Sequence, residues 1–534
     1  MNSPTVQIQT IDKSYYQPGF TNEVAAYVGY FEKGPINEPV FITDINQFKF
    51  IFGRGVDLFH NDWYQVYNYL QYASGIWVVR ASGNKQWNAN NGDSIYVNSK
   101  EEFEALYNDL DTVNGIRVIA KTPGESGNLI SVAFFGYYAY GQNLEIGFGQ
   151  TARSLTNNML ENESLLVVFR NGKVVEKYTF NEFDTKDTLM NISKYVYIKR
   201  DHIENPYQNY FASNLIHLEN GSTNFATDDD FRTAHDILKN KDSYYLDIII
   251  GNQLANELAI DVAESRKDCL AFIGMPTRYI EFLKINGDNG SEVLYTEDGL
   301  IIVFGDFITP KNLDSEDSRR LYEYVDGLPQ SEFVHFTANV KSQMDGFSGK
   351  PKLVNMAADA AGLKSKASLI SPWTPGAGLE KGIILNGETI HVNIDTNGKK
   401  RLYQRGLNFV EGGILMSQKT FTSKPSAFDR VHTRSLFNHI EKTVERILRK
   451  FVFEENREGV RRTIALEVKN ILNDVRVNRG IEAGKVVVHP AGDNPSAITV
   501  DVYVKPTYVA EFIQLRMNNV GSNTISSILS NTLG

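Results

Sequence analysis

The sequence predicts a multidomain α/β and α+β protein carrying a β-rich insertion. Three observations lead there. Apolar strands alternate with amphipathic helices over residues 22–83 and again from 228 onward. Between about 84 and 200, short strands follow one another with only one brief helical patch. Two long amphipathic helices fill residues 433–480 and precede two alternating strands. At 534 residues the chain is too long for one ordinary core, so two to four domains are expected.

Taken in order, PTVQIQTID at residues 4–12 alternates with period two, and YYQPGF then supplies a turn. A strand this short needs a sheet edge to join, in its own fold or in a neighbour's. EVAAYVGYFEKGP reads as strand then turn, and PVFITDINQFKFIFG as a strand, Asp44 as N-cap, and a short helix ending at Gly53. DWYQVYNYLQYASG is a helix with Trp63, Val66, Tyr67 and Leu70 on one face, followed by the strand GIWVVRAS. EEFEALYNDL is the helical patch of the next region. Its strands are IRVIAKT, LISVAFFGYY, LLVVFRNGKVVEKYTF and KYVYIKR. The α/β pattern resumes with a helix over 228–240, whose Asp228, Asp229 and Asp230 complement the helix dipole rather than hold a cation. The strand YYLDIII, a helix over 253–267 and the strand CLAFIGMP follow. After an Asn- and Gly-rich excursion come the strand IIVFGDFIT and then KLVNMAADAAGLKS, a helical segment whose small residues suit close packing.

Near the C-terminus, Leu436, Phe437, Ile440, Val444, Ile447, Leu448 and Phe451 recur at three- and four-residue steps and form one apolar stripe. VFEENRE breaks that helix. Asn456 is the expected N-cap of a second, with the stripe Val460, Ile464, Val468, Ile471, Leu472 and Val475, ended by Gly480 and Gly484. KVVVHP, a turn at Asp493, Asn494 and Pro495, AITVDVYV, a kink at Pro506 and the strand VAEFIQLRM complete the block.

Composition narrows the function. A net charge of −10 argues against general nucleic-acid binding, which needs clustered Lys and Arg. Cys269 is the single cysteine, so no internal disulfide forms, and DCLAFIG places it at the start of a buried strand. The segment MNSPTVQIQT is neither basic nor apolar and no apolar run approaches the roughly 20 residues of a spanning helix, so neither export signal nor membrane contact is expected. A phosphate-cradling GxxxxGK[ST] is absent; GFSGKP has the wrong spacing, and GAGLEKG follows SPWTP rather than a strand. Nine histidines show no HxxxH spacing, and no G-x-S-x-G elbow occurs. No enzyme, metal or cofactor is expected from these patterns.

The order of motifs resembles the sheath protein of contractile bacteriophage tails. GLNFVEGGILMSQKTF resembles that family's Gly-Leu-Asn segment, Gly-rich turn and Gly-x-Arg-Thr motif, with the Gly and Arg replaced. HTRSLFNHIEKTV resembles its Val-Arg-Arg-Leu helix start, FVFEENRE its Phe-Glu-Pro-Asn break with Glu455 in place of Pro, and AEFIQL its closing segment with Val509 in the Pro position. Upstream, GYFEKGPINEPVFITDINQF, TPGESGNLISV, AESRKDCLAFIGMP and SPWTPGAGLEKG agree in order.

The resemblance implies a subtilisin-like α/β middle domain over 22–83 plus 201–395, an inserted β-rich outer domain over 84–200, and an α+β tube-facing domain over 396–517. An N-terminal arm over 1–21 and a C-terminal tail over 518–534 flank them. Subtilisin chemistry needs Asp, His and Ser in contexts this sequence lacks, which disfavours a hydrolase. The implied partners are the chain itself as a helical homopolymer, the tail tube protein, and baseplate and tail terminator proteins. The implied location is the virion tail, with host cytoplasm during assembly, and the implied work is driving the tube through the host envelope for genome ejection. A phage-derived particle or a cellular injection system would use the same subunit. Two edge-type segments, with Val6, Ile8 and Thr10 in one and Glu511, Phe512, Ile513 and Leu515 in the other, are the expected inter-subunit strands. Arg434, Lys442, Arg446, Arg449, Arg457, Arg461 and Arg462 make the late helices basic within an acidic chain and are tube-facing candidates, the alternative being an ordinary solvated face.

Overall fold

The computed structural model describes residues 23–509 apart from 56–59, 84–85, 114, 137–138, 158–163, 181–190, 201–214, 278–291, 296–300, 305–323, 390–399, 401, 423–424 and 493–495. The chain separates into two units, Met1–Glu441 and Lys442–Gly534.

In the first unit, Ala25–Gly29 (β1) is buried along its whole length, and Val40–Ile42 (β2) leads into the helix Ile45–Phe52 (α1). Asp44 caps α1 as expected, its carboxylate accepting from the amides of Asn46 at 2.8 Å and Gln47 at 3.0 Å, and Gly53 ends it at φ +84°. Phe31 packs at 5.0 Å from Phe52, and Phe48 at 5.5 Å from Trp63, which lies on His60–Tyr72 (α2). Ile76–Arg80 (β3) pairs with β1 in parallel.

Arg80, at the end of β3, is buried, and its Nη1 donates to the carbonyls of Gly34 and Pro123, both at 2.9 Å. It thereby fastens the β-rich insertion to the α/β layer. The insertion contains Lys100–Leu106 (α3), Ile116–Ala120 (β4), Ile130–Phe135 (β5), Ser164–Arg170 (β6), Lys173–Phe180 (β7), Val196–Arg200 (β8) and Ile216–His217 (β9). β9, β5, β6 and β7 form one antiparallel sheet in that order, and β8 pairs with β4. Because Ile216 pairs with Val132, and Ser222 bridges to Trp87, the insertion continues past residue 200, where the sequence places its end. A two-residue strand carries no periodicity to announce it.

The α/β layer resumes with Asp228–Leu238 (α4), Ile248–Ile250 (β10), Asn256–Arg266 (α5), Leu270–Gly274 (β11) and Val334–Thr337 (β12). Thr227 and Asp230 form a reciprocal capping box at α4, which is the role expected of that acidic triplet. Next come Val340–Met344 (β13), Pro351–Asn355 (β14), Ala357–Ser368 (α6) and Leu407–Asn408 (β15). KLVN is therefore a strand, and the small-residue helix begins only at Ala357. The main sheet runs β2-β3-β1-β10-β11-β12-β15, parallel except for β2. Its last strand falls beyond residue 395, so residues just past that expected boundary belong to the α/β sheet. Asn408 explains why: its buried side chain donates to the carbonyls of Phe336 and Lys419 and accepts from the Lys419 amide at 2.6 Å. Gly406 precedes it at φ +76°, where a Cβ would lie 2.7 Å from the Thr422 nitrogen.

α2 is buried on its polar side as well as its apolar one. Tyr64 donates to Asp345 at 2.8 Å, Gln65 to the Asn355 carbonyl at 3.1 Å, Asn68 to Gln343 at 3.0 Å and Tyr72 to Asp359 at 2.8 Å. This polar seam joins α2 to β13, β14 and α6. Gly362 permits the approach, since a Cβ there would sit 2.6 Å from Tyr72 Cδ2. Lys341 completes the seam with Nζ 2.7 Å from Asp359, both side chains having no exposure. At the start of β1, Glu23 pairs with buried Lys364 at 2.5 Å, and its carbonyl accepts from Tyr69 at 3.0 Å.

Among the described residues of this unit, His235 and His335 are the most deeply buried histidines. His235 donates to the Phe231 carbonyl at 2.7 Å, and His335 stacks on Phe272 at 4.9 Å. Burial lowers His235 to about 4 and His335 to about 3. Between pH 6.5 and those values the unfolded chain binds a proton at each that the folded chain refuses, so this contribution is present above pH 6.5 and lost on acidification. Relative to His335→Phe, which keeps the stacking but cannot titrate, the wild type is expected to lose about 3 kcal/mol between pH 7 and pH 4. Urea midpoints across that range measure the difference, and parallel curves would refute it.

The helix Val431–Leu448 (α7) starts in the first unit and ends in the second, which also holds Glu458–Val477 (α8), Ile481–Pro490 (β16) and Ile498–Pro506 (β17). Ile464, Val468, Ile471, Leu472 and Val475 are buried on α8, matching the expected stripe. Asn456 is not the cap; Arg457 holds that position without a side-chain bond. The Asn456 amide is occupied otherwise, donating to the Ala497 carbonyl at 3.2 Å and accepting from Arg461 at 2.6 Å. Gly484 does not end the helix but lies inside β16, where a Cβ would meet Leu472 Cδ1 at 2.9 Å. The helix ends instead through Arg479 at φ +61°.

Candidate functional site

The second unit concentrates positive charge. Residues 442–509 hold twelve Lys or Arg against nine Asp or Glu, a net of +3 in a chain of −10. Arg446, Arg449, Arg457 and Arg462 are exposed, while Lys442 and Arg461 are half-buried. Arg449 pairs with Glu445 at 2.9 Å and Arg462 with Glu458 at 2.6 Å, each one helical turn away, and Arg457 pairs with Glu455. Arg461 donates to the Asn456 carbonyl at 3.0 Å. Arg434 is different. It is 4% exposed, lies 4.7 Å over Phe333 and 4.6 Å over Phe428, and binds Glu332 at 3.1 Å and Glu441 at 2.7 Å. Its charge is spent inside the first unit, which removes it from the surface set.

β16 and β17 form a two-stranded antiparallel ribbon of ten and nine residues, in which Val486 faces Val502 and Val488 faces Val500. One face rests on α8, yet residues 498–502 remain half-buried and Tyr503 is 60% exposed. Among the described residues neither outer edge has a partner strand. Such a ribbon offers two rows of unsatisfied amides and carbonyls, and its Val-rich composition favours further pairing. Sequence periodicity located both strands but not their open edges. The expected donor strands, with Val6, Ile8, Thr10 and with Glu511, Phe512, Ile513, Leu515, lie outside the described residues, as does the turn at 493–495.

Nothing described assembles a reactive centre. Cys269 is buried as expected; His235 donates to a carbonyl, and His335 lies on an aromatic ring with Thr337 Oγ1 3.4 Å from its Nδ1, a hydroxyl contact without the carboxylate that would complete a triad among the described residues. Among the described residues no group of three His, Cys, Asp or Glu is placed to hold a metal ion, and no helix is long and apolar enough to cross a membrane.

The described residues thus make a multidomain α/β protein with a β-rich insertion and a second unit of basic helices and an open-edged ribbon. The comparisons with known proteins specify the kind. No family model matches the chain. The tail sheath protein of Vibrio phage KVP40 is 26% identical over 500 residues, covering 81% of this chain and 71% of that protein. The tail sheath protein of Enterobacteria phage T4 is 25% identical over 436 residues, covering 73% of this chain and 62% of that protein. The sheath tail protein from Listeria innocua shares the fold, with a TM-score of 0.58 at 13% identity over 92% of this chain and 93% of its own. The relatives of this chain are thus tail sheath proteins of bacteriophages, in agreement with the order of its motifs.

Proposed function

We propose that this chain is the repeating subunit of a contractile tail sheath, a helical homopolymer around a tail tube that contracts to drive the tube through the host envelope. The match to tail sheath proteins along most of the chain carries the reading. In it the α/β layer is a non-enzymatic scaffold of subtilisin-like topology, the insertion is an outer domain, and the second unit faces the tube. The ribbon β16/β17 is the acceptor of strand exchange. Among the described residues it has two open edges, and the sequence supplies two candidate donor segments, around Ile8 and around Ile513, to close them in neighbouring copies. Tube, baseplate and tail terminator proteins are the further partners, and the virion tail is the location. Contraction without a nucleotide site requires a metastable starting lattice whose subunits repack into a lower-energy one.

Electron microscopy of the purified full chain tests the reading: hollow helical cylinders are expected, and uniformly monomeric particles under all assembly conditions would overturn it. The tube-facing set, without Arg434, is tested separately. Arg446→Glu/Arg449→Glu is expected to weaken co-assembly with the tube protein at least about tenfold at low salt, with the difference shrinking as salt rises. Unchanged co-sedimentation would assign these arginines to a solvated face.

A further inference from the structure

A cavity of about 190 Å³ opens at the seam between the α/β layer and the insertion, within the first unit. Four cationic side chains line it: Lys33 from the turn after β1, Lys121 after β4, Arg170 at the end of β6, and Lys194 just before β8. Phe50 and Tyr195 form an aromatic wall, 5.7 Å apart edge to face.

These cations are poorly compensated. Lys33 is 7% exposed, and its ammonium lies 5.3 Å from the Phe50 ring and 5.8 Å from Tyr195. Lys194 lies 5.9 Å from the same Phe50 ring, and Lys121 4.8 Å from Tyr197. Among the described residues, none of these three lysines has a carboxylate within salt-bridge distance. The two carboxylates nearby among the described residues are engaged. Glu32 sits 3.6 Å from Arg170 and accepts from the Arg54 amide at 2.7 Å. Glu176 accepts from Ser193 at 2.7 Å, Tyr178 at 3.0 Å and the Lys194 amide at 3.2 Å. Against four cations they leave a local excess of about two positive charges. Burial, reinforced by the Arg170 charge and opposed by Glu32, lowers Lys33 to about 8. A buried ammonium without a counter-ion is costly, and an anion in the cavity removes that cost.

We propose that this seam cavity binds a compact, doubly charged oxyanion, with inorganic phosphate as its simplest member, held by Lys33, Lys194 and Arg170 and roofed by Phe50 and Tyr195. The two ammoniums act as point-charge donors and the guanidinium as a fork. The space admits the oxyanion with several waters. Bound there, it ties α1 to the insertion and stiffens their junction.

Isothermal titration calorimetry of the full chain with inorganic phosphate, against sodium chloride at matched ionic strength, tests the site. Saturable one-to-one phosphate binding is expected, weakened at least about tenfold in Lys33→Met and in Lys194→Gln. Lys194 lies at the surface end of the cavity, so that variant stays informative if Lys33→Met folds poorly. Equal affinity in wild type and Lys194→Gln, no saturable heat in the wild type, or the same heat from chloride would overturn the proposal.

Discussion

Lys341→Ala is expected to destabilise the first unit by about 3–5 kcal/mol, because it leaves the Asp359 carboxylate buried with Tyr72 as its remaining side-chain donor. Burial is the largest influence on that carboxyl and raises it above its ordinary range, even with Lys341 and Tyr72 acting in the opposite direction. Lys341 also donates to the Leu385 carbonyl at 2.9 Å, so its removal strands a second acceptor. The penalty belongs to the unpaired charge rather than to the pair. Lys341→Met/Asp359→Asn is therefore expected to recover most of the loss, since asparagine still accepts from Tyr72 and no charge is left inside. Denaturant midpoints of the two variants and the wild type decide the matter, and a Lys341→Ala loss below about 1 kcal/mol would contradict the assignment.

Deleting residues 1–14 is expected to abolish polymerisation while leaving a folded subunit. In the strand exchange proposed above, removing Val6, Ile8 and Thr10 would remove one donor segment, and with backbone bonds worth about 0.5–1.5 kcal/mol each, several kcal/mol per subunit contact would disappear. Folding is spared because the described core begins at Glu23 and Val24, whose own contacts are with Lys364 and Asp247. Circular dichroism and the melting temperature should match the full chain, while electron micrographs show no cylinders. Sheaths of normal length from the truncated chain would remove strand exchange from the assembly.

Elements controlled by local chemistry were legible in the sequence. Asp44 and Gly53 bound α1, the acidic triplet opens α4, and the stripe of α8 sits where three- and four-residue spacing puts it, whereas on α7 Leu436, Ile440 and Val444 are buried and Phe437, Ile447 and Leu448 are half-buried. What was hidden depends on partners far along the chain. Tyr64, Gln65, Asn68 and Tyr72 look like the wet side of α2 until β13, β14 and α6, some 280 residues later, cover them. Arg434 looks like one more surface cation until Phe333 and Phe428 enclose it. Asn456 has the residue type of a cap, but a hydrogen bond to Ala497 claims its amide. The ribbon's strands followed from alternation, whereas the seam cavity draws Lys33, Lys121, Arg170 and Lys194 from four separated segments and left no linear trace.

The anchorage of β1 has a mechanical consequence. Tension reaching the body from the N-terminal side enters at Glu23, where Lys364 and Tyr69 grip the chain, and passes directly into β1. That strand is interior to the sheet, flanked by parallel neighbours on both sides, Ile76–Arg80 and Ile248–Ile250. A pull along its axis loads both ladders in shear, so their bonds must fail together rather than peel one at a time. The α/β layer carries such an axial load through a fully buried strand, and in the proposed polymer yielding is expected at inter-subunit joints before the body unravels.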